Sequence, residues 1–257
     1  MHEHGECIGA SRGDPQGNGA PPSRPHPYFH PKSRLLTAET AGGRHPNCHP
    51  RDAATLILVD ADGGEAKILM GQRHLSHRSM PGKFVFPGGR VEPKDYVAGH
   101  RLDLPMAVQS KLLRQLKGVP HPGRAKALVH AALRETQEET GLVIAQDGLA
   151  GGSSCGPSPL TFIARAITPP GRPRRFDTRF FALPSSSITE RLDIVDGEFS
   201  AIHWLSLNEA RDADLPLITR VILDELEERM TGGRLGKAVR PVPFYFKKGA
   251  CFHHRSL

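Results

Sequence analysis

The chain has 257 residues and a formal net charge of +7, long enough for one large domain, or one domain with appendages, and a sizeable core. No apolar run approaches the eighteen or so residues needed to span a bilayer, and Met1-His2-Glu3-His4-Gly5 has neither a basic nor an apolar leader. A cytoplasmic protein with no membrane partner is therefore expected, and Cys7, Cys48, Cys155 and Cys251, which form no CxxC pair, read as free thiols rather than a zinc site or disulfide framework.

The charge is unevenly spread. Arg234, Lys237, Arg240, Lys247, Lys248 and Arg255 fall within residues 230–257, where there is no acid, so the rest of the chain is near neutral. Residues 233–257 thus read as a solvated basic tail, and nucleic acid is not an expected partner. Residues 1–50 are rich in Gly, Pro and His and lack apolar periodicity, which predicts a disordered extension. Their histidines (His2, His4, His26, His30, His45, His49) lie on Pro-broken chain with no spacing that makes them converge on a metal.

Order is expected from Ala53. Ala54 to Val59 is apolar and β-branched, Asp60-Ala61-Asp62-Gly63-Gly64 makes a turn, and Lys67 to Met70 resumes, so a hairpin is predicted. Val85-Phe86 ends a short strand before Pro87-Gly88-Gly89. Residues 105–117 read as a helix carrying Met106, Leu112, Leu113 and Leu116. In the next helix Ala125, Leu128, Val129, Ala132, Leu133 and Thr136 form one buried stripe, which Gly141 terminates. Strands at 160–167, 176–183 and 198–205 and a helix over 215–229 complete an α/β (α+β) domain, a mixed sheet sandwiched between helices.

Chemistry concentrates on the 124–140 helix. Glu135, Glu138 and Glu139 stand at i, i+3 and i+4, within an arc of about 100°, where like charges repel unless a cation offsets them. Hard oxygen ligands suit Mg²⁺ or Mn²⁺ and phosphate substrates, although a solvated acidic face is the ordinary alternative. Upstream, Phe86-Pro87-Gly88-Gly89 lets backbone approach a metal or phosphate closely.

With Gly89 and Arg134-Glu135-Thr136-Gln137-Glu138-Glu139-Thr140-Gly141-Leu142, the sequence resembles the Nudix family over roughly residues 53–230. That family's signature is G-x5-E-x7-R-E-U-x-E-E-x-G-U, with U apolar. Two departures stand out: Asp95 sits where Glu is expected, and 38 residues rather than seven separate it from Arg134. Residues 96–123 thus look like a folded insertion in a domain spanning 51–232, and Leu112, Leu113 and Leu116 are expected to bury against the domain or a second copy, a homodimer being left open. The resemblance implies a diphosphate hydrolase acting on a small nucleotide-like substrate. Glu135, Glu138 and Glu139 would hold the metal, with the Gly88 carbonyl as an extra ligand. Glu135 or Glu138 would activate water, Arg134 would orient the glutamates, and Gly89 would border the substrate. Glu198 is a candidate remote ligand or base, or else an ordinary strand-edge glutamate.

The stretch Arg73-x4-Arg78-x3-Gly82-x3-Phe86-Pro87-Gly88-Gly89 is similar to the motif preceding the signature in coenzyme A diphosphatases, and Arg175-Phe176-Asp177-Thr178-Arg179-Phe180-Phe181 is similar to a coenzyme A-cleaving branch. Arg73, Arg78 and Lys83 would then receive the extra 3′-phosphate of coenzyme A, giving 3′,5′-ADP and phosphopantetheine. ADP-ribose, NADH or a dinucleotide is the alternative substrate. A non-catalytic ligand sensor or RNA-binding module is the alternative class, opposed by the retention of all three helix glutamates.

Overall fold

A computed structural model describes residues 31–38, 45, 48–62, 64–76, 80–116, 120–147, 149, 159–193, 198–231, 234–235 and 240–257. The elements in order are α1 (Pro31–Ala38), β1 (Arg51–Asp60), β2 (Lys67–Arg73), β3 (Phe84–Val85), β4 (Gly88–Arg90), α2 (Pro93–Gly99), α3 (Met106–Leu112) and α4 (Pro122–Thr140). Then come β5 (Leu142–Ile144), β6 (Thr161–Ile167), β7 (Phe176–Pro184), β8 (Ile188–Arg191), β9 (Phe199–Ser206), α5 (Leu207–Asp212) and α6 (Leu217–Glu227). The chain closes with β10 (Met230–Thr231), β11 (Arg234–Leu235), β12 (Pro243–Lys248) and β13 (Cys251–Ser256).

The main sheet runs β13-β12-β6-β7-β1-β2-β3, with β4 on β1 and β9 on β2. It is mixed: β1 lies parallel to β7 and β12 parallel to β6, while the other pairings are antiparallel. Strand periodicity sorts β1 between two cores. Ala54, Leu56 and Leu58 pack with the α4 stripe, whereas Ile57 and Val59 pack with Val221, Ile222 and Leu226 of α6. This is the expected sandwich of a sheet between helices.

Helix α4 follows its sequence closely. Its N-cap His121 accepts from the Gly123 N–H at 3.0 Å, and Gly141 ends it at φ 71°, a left-handed conformation natural to glycine. All six residues of the predicted stripe are buried, Thr136 among them. Its hydroxyl donates to the Ala132 carbonyl at 2.8 Å, which is how a polar residue fits an apolar position.

Three expectations change. Residues 31–38 do not behave as a disordered extension: they form α1, which buries Ser33 and Leu36, and the Thr37 hydroxyl oxygen accepts from the Phe252 N–H at 2.9 Å. Lys32 reaches Glu225 and Glu228, each at 2.7 Å, and Glu225 also accepts from Tyr245 at 2.6 Å and Arg229 at 2.8 Å. Eight residues are too few to display a helical stripe, so only docking reveals them.

Nor is the C-terminal segment a solvated tail. β12 and β13 extend the main sheet, burying Phe244, Tyr245 and Phe252, and the guanidiniums of Arg165 and Arg255 lie over the Phe244 and Phe246 rings. Phe244 and Tyr245, being consecutive, enter the two cores on opposite faces of the sheet while Lys248 at the strand end stays exposed, a pattern masked in the sequence by the surrounding basic residues.

Within the insertion, the helix expected over 105–117 covers only Met106–Leu112, and the chain turns through Gln115 at φ 52°. Leu102, Leu104 and Leu112 are buried and Leu113 packs against the same core. Arg165 donates to the carbonyls of Arg114 and Gln115 at 3.1 and 3.2 Å, fastening the end of α3 to the sheet. Among the described residues no helix is long and apolar enough to cross a membrane, and Cys48 and Cys251 are free. Cys7 and Cys155 lie outside the described residues.

Docking of α1 is directly testable. Leu36→Ala should cost about 2–5 kcal/mol, lowering Tm by roughly 5–15 °C, and removing residues 1–38 should cost at least as much. Calorimetry of the two variants checks this; an unchanged Tm would contradict the docking.

Candidate active site

The site forms where the N-terminal part of β4 faces the C-terminal half of α4. Register places Gly88 opposite Thr55 and Gly89 opposite Ala54 on β1. A Cβ on Gly88 would meet the Ala54 carbonyl oxygen at 2.5 Å, and one on Gly89 would collide with the Glu135 carboxylate. The paired glycines are thus what lets the helix glutamates lie against the strand backbone.

Arg134 is the centre of the arrangement. Its Nε and Nη2 donate to the two oxygens of Asp95 at 2.9 and 3.1 Å, a bidentate pair. Its Nη1 donates to Glu135 at 2.9 Å and to Glu138 at 2.7 Å, and Nη2 also reaches the Arg90 carbonyl at 3.1 Å. Burial disfavours the guanidinium charge, but Asp95 and Glu135 more than offset it and hold Arg134 protonated. The positioning role expected for Arg134 thus has a geometry.

Asp95 resolves the first departure from the signature. It is fully buried, and its carboxylate accepts from Arg134, from the Glu92 N–H at 2.7 Å and from His130 at 2.8 Å. With Glu92 it makes a reciprocal cap at the start of α2, and Pro93 opens the helix. α2 packs so closely on α4 that a Cβ on Gly99 would meet the Lys126 carbonyl oxygen at 2.9 Å. The chain leaves the end of α2 and returns at α4 with Asp95 bonded to Arg134. Burial pushes the Asp95 carboxyl up, but the hydrogen bonds from Arg134, Glu92 and His130 outweigh it and hold it below its ordinary value.

Glu139 differs from its neighbours. It is 6 % exposed and accepts from the Gly88 N–H at 2.9 Å. Gly88 thus meets the helix through its amide. Burial raises the Glu139 carboxyl well above the usual range; the Gly88 amide opposes this, and a hydrogen bond with Glu198 raises it further. Glu198 is thus brought to the helix cluster, as a candidate remote ligand requires. Burial likewise raises Glu135, against the opposing pull of Arg134.

The expected phosphate-binding cations are arranged differently. Arg73 pairs with Glu198 at 2.8 Å and so serves the cluster's own acid, while Lys83 pairs with Asp214 at 2.6 Å at the far end of β3. Arg78 lies outside the described residues.

Sequence reasoning missed two features. One is a buried ion network at the start of β1 and β7: Asp52 binds Arg124 at 2.6 Å and Arg179 at 2.8 Å, and Asp177 binds Arg165 at 2.6 Å. The other is a cleft lined by Arg51, Arg90, Arg174 and Arg175. Arg90 follows Gly89 directly, an adjacency visible in the sequence; the others become neighbours only through the β1–β7 pairing.

As to the ion such carboxylates hold in related folds, the donor chemistry fits: Glu135, Glu138, Glu139 and Glu198 offer only oxygens, and a cation would offset the cost of charging buried Glu139. Among the described residues no three metal-binding side chains are already gathered around one point, because Glu135 and Glu138 converge on Arg134 instead.

Residues 112–226 match the NUDIX domain family. The match begins beyond Gly89 and Asp95, which the insertion separates from the rest of the signature. A solved NUDIX hydrolase from Alicyclobacillus acidocaldarius is 25% identical with a TM-score of 0.51, the alignment covering 68% of this chain and 90% of that one. The NUDIX domain of Shewanella oneidensis NrtR complexed with ADP ribose aligns at 14% identity and TM-score 0.46, over 72% of this chain and 90% of that one. A C. elegans Ap4A hydrolase aligns at 16% identity and TM-score 0.40, over 69% and 96%. No curated protein sequence matches the chain. Residues 112–226, somewhat less than half of the chain, are thus similar to the NUDIX domain, and the mixed α+β fold matches that of the solved NUDIX hydrolase.

Two outcomes test the site's construction. Asp95→Asn should destabilise the protein by about 3–5 kcal/mol at neutral pH, because Arg134 loses its buried partner. Asp95 has a depressed folded-state pKa, so its contribution is present above its ordinary value of 3.8 and is lost as pH falls through the lower folded value. The difference between wild type and variant should therefore shrink on acidification below pH 3.8, measured by urea unfolding as a function of pH. Gly89→Ala should displace the Glu135 carboxylate and lower kcat at least tenfold while Tm changes little. A variant with normal kcat would show that Glu135 need not lie against β4.

Proposed function

We propose that the protein hydrolyses a diphosphate linkage in a nucleoside diphosphate derivative, with Mg²⁺ or Mn²⁺ held by Glu135, Glu138 and Glu139 and assisted by Glu198. The observation that carries this reading is the placement of Glu135 and Glu139 against the Gly88–Gly89 turn, with the buried Arg134 joining Glu135 to Glu138 and Glu198 bonded to Glu139. A divalent ion there would neutralise the phosphate oxygens and lower the pKa of a bound water.

The chain's own residues would do the rest. Glu135 or Glu138, held in place by Arg134, accepts the proton of the attacking water. The water oxygen bonds to one phosphorus as the bridging oxygen leaves with the other phosphate. Asp95 positions Arg134 and thereby both glutamates, and the Gly88 amide fixes Glu139. Since no covalent nucleophile is required, none is assigned.

Coenzyme A or an acyl-coenzyme A is the proposed substrate, cut to 3′,5′-ADP and the phosphopantetheine fragment. Support comes from the spacing of Arg73, Arg78, Gly82 and Phe86-Pro87-Gly88-Gly89. ADP-ribose, NADH and dinucleotides are the competing substrates.

Glu138→Gln and Glu139→Gln should lower kcat by roughly 10²- to 10⁴-fold with unchanged Tm, and EDTA should abolish turnover until Mg²⁺ or Mn²⁺ is restored. A panel of coenzyme A, ADP-ribose, NADH and diadenosine substrates, with products resolved by chromatography, identifies the linkage cut. Full turnover in EDTA would remove the metal from the reading; turnover of the panel without coenzyme A would remove the substrate assignment alone.

A further inference from the structure

The cleft at the start of β1 and β7 has a volume of about 740 Å³, and its lining includes Arg51, Arg90, Arg174, Arg175, His49 and Phe176. No acidic residue lines it. The acids nearest in sequence, Asp52 and Asp177, point their charges elsewhere: Asp52 is held by Arg124 and Arg179, and Asp177 by Arg165 and Arg179. That network has three arginines for two aspartates, so it adds to the positive potential and does not neutralise it. Among the described residues Arg51 and Arg174 have no ion pair, and both are exposed. Arg90 shares its charge with Glu92 at 3.1 Å while keeping its side chain 55% exposed.

The walls are fixed where they need to be. Arg175 donates to the Cys48 carbonyl at 2.8 Å and to the Thr168 carbonyl at 3.0 Å, tying the turn before β7 to the segment before β1. The Arg51 N–H donates to the Arg175 carbonyl at 3.0 Å. Like charges gathered in a concave wall repel each other, and the cleft focuses their field on whatever anion enters. Between the cations stand Phe176 and two prolines, flat apolar surfaces on which a nucleoside can lie.

Position links this cleft to the carboxylate cluster. Arg90 is the residue after Gly89, whose backbone lies against Glu135, and its carbonyl accepts from Arg134. A ligand whose diphosphate meets the glutamates can therefore extend along β4 into the arginine cleft. Of the cations first expected to take a second phosphate, Arg73 is engaged with Glu198 and Lys83 with Asp214, and Arg78 lies outside the described residues.

We infer that this arginine cleft is a phosphate subsite, which receives a phosphate monoester on the nucleoside end of the substrate, separate from the diphosphate that is cut. The inference deepens the hydrolase reading and rests on it for what lies at the glutamates, but binding in the cleft does not require turnover.

Calorimetric titration of the full chain in EDTA with adenosine 3′,5′-bisphosphate and with 5′-AMP tests it. The wild type should bind the bisphosphate more tightly. Arg51→Ala/Arg174→Ala should weaken bisphosphate binding roughly ten- to a hundredfold and erase most of the preference over 5′-AMP. Glu138→Gln, which acts on the 5′-phosphate common to both ligands, should leave the preference for the bisphosphate over 5′-AMP unchanged, which separates the cleft from the cluster. Arg51→Lys/Arg174→Lys should recover part of the preference and controls for folding. An equal preference in wild type and the alanine variant, or no preference in wild type, overturns the subsite. Preserved binding by a protein that hydrolyses nothing would instead overturn only the hydrolase reading.

Discussion

Glu135 and Glu138, one turn apart on the same helix with Glu139 beside them, would repel one another and unwind the end of α4 if nothing stood between them. Arg134 stands there, bonding Glu135 and Glu138 through one nitrogen while the rest of its fork is committed to Asp95 and the Arg90 carbonyl. A lysine could supply the charge but not the geometry, because only a planar fork serves three carboxylates and a carbonyl at once. The positions of α2, β4 and α4 relative to one another all follow from this guanidinium. α2 supplies its buried anchor, β4 its carbonyl, and α4 the acids it separates.

That dependence also explains how the signature tolerates its insertion. The loop between the glycine turn and the glutamate helix has to deliver one buried carboxylate beneath Arg134, and Asp95 does so from the first turn of α2. Once α2 is capped and packed, the chain is free to leave and return, provided that what it inserts has a core of its own to join. Leu102, Leu104 and Leu112 join the α4 side of the sheet, and Arg165 takes the carbonyls at the end of α3. Asp95 reaches Arg134 and His130 from α2, which approaches α4 closely at Gly99.

The two ends of the described chain meet on the opposite face. Glu225 of α6 gathers Lys32 from α1, Tyr245 from β12 and Arg229, so one buried carboxylate joins segments more than two hundred residues apart. Burial alone would push this carboxyl up, but Lys32, Tyr245 and Arg229 outweigh it and hold it below its ordinary value. Charge pairing of this kind costs much if one partner is removed, and it fixes where α1 and the last hairpin dock.

The α4 stripe, its glycine stop, the glutamate triad and the strands expected at 160–167, 176–183 and 198–205, found at 161–167, 176–184 and 199–206, were legible in the sequence, because helical and strand periodicities are local and fix which side chains share a face. The Nudix resemblance was legible for the same reason, its densest part lying within one helix. Tertiary structure decided the rest. Whether Asp95 could stand in for a glutamate depended on how near α2 comes to α4, and Arg73 and Lys83 took on acids supplied by distant strands and turns. α1 carried too few apolar residues to announce itself, and the last hairpin hid its aromatics among lysines and arginines; both acquired order from surfaces elsewhere in the chain. The arginine cleft exists only because β1 and β7 lie parallel and begin together, a long-range pairing that no local pattern encodes.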